Sequence, residues 1–306
     1  MRTLHMIALC AAFTLLLSAP YARAQTAVCP GGIVNVVSLG ADGTAANDTA
    51  AFNSAYLAVT THSTAAAPNP CEGNRIYVPA GNWAGHWPTI YYSVYIQGAG
   101  PSATNFTGDD TAWPIFWVFA PVTFDSFGFW GSPNLNIRLD GSSTGNSDLS
   151  VLENLLCRTS SGMFIYDTNN EDVHFENLEA LNCGNTTSSP WWLGGTVVLN
   201  GANNIYIDSP VFMGEPNSAI VANNAPSVII YGGEVNNAFA FTMTSPLIYA
   251  VNSTAIWVTD FYIGGTNYYD LGLGNAPVTT FSGYQVTFGS GAEGICVPGS
   301  NNSICN

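Results

Sequence analysis

A short strand-like signal returns along this chain in a steady register. Leu152-Glu153-Asn154-Leu155 and Phe175-Glu176-Asn177-Leu178 are nearly one tetrapeptide. The register continues through Ile96-Gln97-Gly98, Phe124-Asp125-Ser126, Ile207-Asp208-Ser209, Ile230-Tyr231-Gly232, Val258-Thr259-Asp260 and Val286-Thr287-Phe288. Its second positions fall at 97, 125, 153, 176, 208, 231, 259 and 287, at spacings of 28, 28, 23, 32, 23, 28 and 28 residues. Val94, Val122, Val173, Ile205, Val228 and Ile256 stand two positions before the leading apolar residue of their segments. That alternation has period two and buries one side of each strand. Repetition at this period predicts a solenoid whose coils stack on one another. A propeller blade needs about four strands and ~40 or more residues, and a sandwich imposes no such even register. The expected architecture is all-β: a right-handed, single-stranded parallel β-helix of about eight coils.

Composition narrows what such a solenoid can do. Arg2 and His5 precede an apolar run from Met6 to Leu17, and Ala22-Arg23-Ala24 forms a small-x-small site before Gln25. Residues 1–24 are therefore expected to be an export signal, and residues 25–306 a β-helix domain that is secreted or periplasmic. The apolar run is too short to span a bilayer, and no later segment is long and apolar enough. Beyond the signal there is no lysine, and three arginines face 20 acidic residues, a formal charge of −17. Such a surface has no electrostatic reason to bind nucleic acid or anionic lipid, and it repels polyanions unless a cation intervenes. Abundant Gly, Asn and aromatic residues suit strands and turns. Six cysteines remain after Cys10 leaves, and they read as disulfides in an oxidising compartment. Six allow fifteen connectivities; nearest-neighbour pairing would join Cys29 to Cys71, Cys157 to Cys183 and Cys296 to Cys305.

The N-terminal part adds a resemblance. Val34-Asn35-Val36-Val37-Ser38-Leu39-Gly40-Ala41-Asp42-Gly43, with Asn47-Asp48-Thr49-Ala50-Ala51-Phe52 after it, resembles the opening of pectate-lyase-superfamily (pectin-lyase-like) β-helix proteins. These begin with a strand, a Gly-Ala-x-Gly-Asp-Gly type turn, an Asp-Asp-Thr and a capping helix. Ile76-Tyr77-Val78-Pro79-Ala80-Gly81 and Val94-Tyr95-Ile96-Gln97-Gly98 match the next segments of that family. The resemblance implies an N-terminal strand and cap helix over residues 33–60. Asn47 or Asp48 is the expected N-cap and Val59 the approximate end. It bears on fold more than on activity, since the superfamily holds lyases, hydrolases, phage tailspikes and non-enzymes. Polygalacturonases of this fold carry Asn-Thr-Asp, Asp-Asp, Gly-His-Gly and Arg-Ile-Lys motifs. Here only Asp109-Asp110 exists, far too early. Pectate lyases use basic residues beside calcium, and this chain has almost none.

The register stacks Gln97, Asp125, Glu153, Glu176, Asp208, Tyr231, Thr259 and Thr287 in one exposed column, with four consecutive carboxylates. Rungs are about 4.8 Å apart, so these like charges raise one another's pKa or recruit a cation. Calcium is the candidate cofactor, with its ligands unknown. Glycoside hydrolysis needs two carboxyl groups ~5 Å apart for retention or ~6.5–9.5 Å for inversion, separations that neighbouring rungs supply. Glu176 and Asp208 are the expected catalytic pair, with Asp125 and Glu153 as alternates. The longest coil lies between them and carries Trp191-Trp192. His174 and Tyr206, two positions earlier, are candidate base or orienting groups. Trp191, Trp192, Trp257, Tyr231 and Arg158 are candidate substrate contacts. The competing structural reading makes each acid a solvated strand-to-turn residue, the tryptophans loop packing and Arg158 an ion-pair partner. The expected function is a secreted enzyme acting on a polysaccharide, a glycoside hydrolase before a lyase. The alternative is a non-catalytic glycan-binding or adhesin-like β-helix. A trimeric tailspike fits less well with an export signal. Oligomeric state and substrate identity are not legible in the sequence.

Overall fold

In the computed structural model, strand after strand pairs in parallel with its counterpart one coil away. The described residues are 29–108, 114–131, 135–141, 146–184, 195–214, 218–236, 248–251, 253, 255–264, 271–273, 280–284, 287–288 and 295–296. Each coil turns through three faces. The first runs through Arg75–Val78, Val94–Gly98, the opening halves of Val122–Trp130 and Val151–Arg158, His174–Glu176, Ile205–Asp208, Ser227–Tyr231 and Ala255–Thr259. The second takes the closing halves of those two long strands and continues through Glu179–Leu181 and Val211–Met213. The third is an eight-stranded sheet from Phe116–Val118 to Ile295–Cys296. This is the parallel β-helix expected from the repeat.

The bend from first to second face explains half of the repeat's sequence. The residue after the column position has positive φ on successive coils: Ser126 (61°), Asn154 (54°), Asn177 (51°), Ser209 (51°), Gly232 (64°) and Asp260 (52°). A left-handed residue turns the strand sharply while keeping the ladder in register, and Asn, Asp and Gly bear that conformation at least cost. Asn154 also donates to Asp125 Oδ1 (3.2 Å) and accepts from Asn177 Nδ2 (3.2 Å). Asn154→Ala should therefore lose about 2 kcal/mol in urea unfolding. Asn154→Gly, which restores only backbone freedom, should recover about half of that. Equal losses in the two variants would remove the conformational explanation.

Inside the coils the alternating apolar residues close-pack. Phe106, Phe116, Phe124, Phe127 and Phe129 are almost fully buried, with neighbouring ring centroids 4.8–6.0 Å apart. The helix Ala45–Thr60 adds Phe52, stacked on Trp87 at 4.5 Å, and Tyr56, whose hydroxyl accepts the amides of Tyr91 and Tyr92. Its N-cap is Thr44, not Asn47 or Asp48. Asp48 is buried, and its carboxylate is already taken by the amides of Asp42, Gly43 and Ala84. It ties the helix to the second face instead of ending it.

Two disulfides are formed, Cys29–Cys71 (Cα–Cα 5.6 Å) and Cys157–Cys183 (6.3 Å); Cys296–Cys305 lies outside the described residues. One inward position of the third face is an acid. Asp167 sits between Leu139 and Leu199 on adjacent rungs, with no exposed surface. Asn170 donates to its Oδ1, while its Oδ2 meets no hydrogen-bond partner.

Candidate functional site

The expected column exists as one continuous ladder. Gln97, Asp125, Glu153, Glu176, Asp208, Tyr231 and Thr259 pair successively from rung to rung. Thr287 is the exception. Thr259 pairs with Tyr284, and Thr287 pairs with Tyr262 on the second face. The connection between those rungs is three residues shorter than the regular 28-residue step required, so the period overran the register.

The four acids occupy different environments. Asp125 is buried and receives hydrogen bonds from Tyr95 Oη (3.1 Å), Gln97 Nε2 (2.9 Å), Ser126 Oγ and Asn154 Nδ2. Its burial favours the neutral form, yet these four donors outweigh it and hold the pKa below the ordinary value. Asp125 is thus held as an anion whose two oxygens already accept hydrogen bonds. Glu153, half-buried on the next rung, is displaced the other way. Partial desolvation raises its pKa, and the flanking negative charges of Asp125 and Glu176 add to that. Glu176 and Asp208 are exposed, and Ser209 Oγ donates to Asp208 Oδ1 (2.7 Å).

A second column runs beside the first. His174 pairs with Tyr206, Tyr206 with Ile229, and Ile229 with Trp257. The rings of His174 and Tyr206 stack with centroids 4.6 Å apart and planes 19° apart. Tyr206, Tyr231 and Trp257 are 37%, 53% and 43% exposed, large apolar surfaces left in water. The two columns bound a groove of about 210 Å³ lined by His174, Glu176, Tyr206, Asp208, Ile229 and Tyr231. Carboxylates thus face an aromatic strip along the helix axis, an amphipathic surface suited to the hydroxyls and the C–H faces of sugars. Ile229 was not among the expected contacts; its place two positions before Tyr231 is the signal that identifies it.

One expected contact, Arg158, lies elsewhere. It is on the second face, past the Asn154 bend, with its guanidinium 5.9 Å from the ring of Trp130. Trp191 and Trp192 fall outside the described residues, as do Asp109 and Asp110. Among the described residues no group of three or more His, Cys, Asp or Glu side chains converges as a metal site. Among them, too, no helix is long and apolar enough to cross a membrane.

No family model and no curated protein matches the chain. Solved structures do. The chain is similar to ORF18 of Geobacillus virus E2, with a TM-score of 0.54 and 15% identity over 87% of this chain and 61% of that one. It is also similar to the Agl-KA catalytic domain (TM-score 0.47, 15% identity, 88% and 58% covered). A third is the catalytic unit of a thermostable α-1,3-glucanase from Streptomyces thermodiastaticus (TM-score 0.45, 17% identity, 90% and 67% covered). At such identities the likeness is one of fold alone, the parallel β-helix. The chain spans about three fifths of the length of the first two structures.

Proposed function

We propose that this protein is exported and acts on a polysaccharide laid along the first face, as a glycoside hydrolase whose carboxyl pair is Glu176 and Asp208. The observation that carries this reading is the groove in which these two acids face the stacked His174–Tyr206 pair and exposed Tyr231. The acids stand on adjacent rungs, and that separation of about 4.8 Å is close to what retaining chemistry uses. Glu153, one rung away with a raised pKa, is the alternate proton donor. The groove lining holds no Lys or Arg, which favours an uncharged or weakly charged glycan over a polyuronate. Export through the 1–24 signal agrees with the two disulfides; N-terminal sequencing of the exported protein should begin at Gln25.

The openness of the groove favours a second reading. Glu176 and Asp208 are exposed, and an unenclosed acid–aromatic surface holds glycan as readily as it cleaves it. One experiment separates the readings. Purified protein is incubated with a panel of neutral and uronate polysaccharides, with calcium and with chelator. New reducing ends are measured together with absorbance from unsaturated uronate. Reducing ends alone are expected, and they support the hydrolase. Absorbance would mean a lyase, and binding without products would mean a non-catalytic module.

A further inference from the structure

A second cleft, larger than the acid groove, opens elsewhere on the first face. It holds about 350 Å³ and lies where the C-terminal end of the helix Ala45–Thr60 meets the first face. Val59, Val122 and Leu149 give it apolar walls; Asn74, Ser93 and Tyr95 add polar groups, and no charged side chain lines it. The volume falls in the ~300–1,000 Å³ range of small-molecule sites. Tyr95 and Thr123 in its wall belong to the aromatic-side column, which passes on through Val151 to His174. The cleft therefore lies in line with the acid groove, two rungs or about 10 Å from Thr123 to His174.

Leu149 marks the cleft as more than a gap. It is 67% exposed and has φ of 61°. The equivalent turns on the next two coils use Asp172 (55°) and Asn204 (52°), residues that tolerate this conformation. A leucine there is unfavourable twice over, once in its backbone and once in its solvated side chain. Departures of this kind from local preference concentrate at binding sites.

We infer that this cleft is a second subsite, taking an uncharged sugar unit of the same glycan; the inference rests on reading the first face as a glycan track. The amphipathic, charge-free lining suits a ring with one C–H face and several hydroxyls, and it offers nothing to offset a uronate carboxylate. The test is methyl NMR of the full protein with cellobiose, lactose and mannobiose, and with digalacturonate as control. Leu149, Val94 and Val122 methyls report the cleft, while Ile207 and Ile229 methyls report the groove. At least one neutral disaccharide should shift both sets, and digalacturonate should leave the cleft unmoved. Leu149→Asn should weaken the cleft response tenfold or more, about the worth of one buried leucine side chain. It should also raise the melting temperature by roughly 2–4 °C. A response in the groove but not the cleft overturns this inference alone, as does a cleft response that survives Leu149→Asn or appears equally with digalacturonate. Silence in both sets overturns the glycan-track reading with it.

Discussion

Glu176→Gln and Asp208→Asn are each expected to cut hydrolysis of the polysaccharide found in the screen by about 10²–10⁴-fold. Both substitutions keep side-chain shape and remove only the capacity to transfer a proton or attack. The fold should tolerate them. Both residues are exposed, and each carries its rung through backbone pairing that the amide leaves in place. Circular dichroism and melting temperature should accordingly match the parent. Initial rates of reducing-end release then isolate the chemistry. If Glu153→Gln abolishes turnover while Glu176→Gln does not, the proton donor lies one rung earlier, as its raised pKa allows. Turnover that survives both Glu176→Gln and Asp208→Asn sinks the assignment.

The second large effect concerns stability and acts far from the groove. Asp167 is completely buried, and desolvation raises its pKa to about 7 from an ordinary 3.8; Asn170 opposes this only in part. The folded state thus binds a proton that the unfolded chain has released. The contribution of Asp167 is fully present below about pH 4 and is lost as pH rises through about 7. The window spans some three pH units at ~1.4 kcal/mol each, so the loss approaches about 4 kcal/mol. Asp167→Asn keeps an acceptor for Asn170 and cannot titrate. Urea unfolding of both proteins from pH 4 to 8 should show the parent losing stability relative to the variant by this order. Parallel curves would mean that Asp167 is solvated or ionised in the folded state.

Both effects start from acids whose sequence contexts look ordinary, and that contrast shows how far the chain can be read by itself. Alternation of apolar residues at a near-constant period was enough to place Gln97 through Thr259 on one ladder and His174 beside Tyr206. These depend only on local strand geometry and coil length. The period failed where loop length departed from it, and Thr259 met Tyr284 in place of Thr287.

The four acids of the column look alike in sequence. Only folding made Asp125 a tethered anion, Glu153 a half-buried acid, and Glu176 and Asp208 open carboxylates. The difference lies in which donors reach each oxygen from other coils, and residues 28 or more apart in the chain leave no local mark of that. Arg158 went to a different face because one left-handed residue, Asn154, stands between it and Glu153. The Leu149 cleft needed the helix end and three coils together before it existed at all. The amino-acid sequence alone determined the parallel β-helix, its register and the column of acids, because these arise from short-range alternation and period. Tertiary structure decided which acids are free, which are buried and where the clefts open, because solvent exclusion and cross-coil hydrogen bonds arise only when the coils stack.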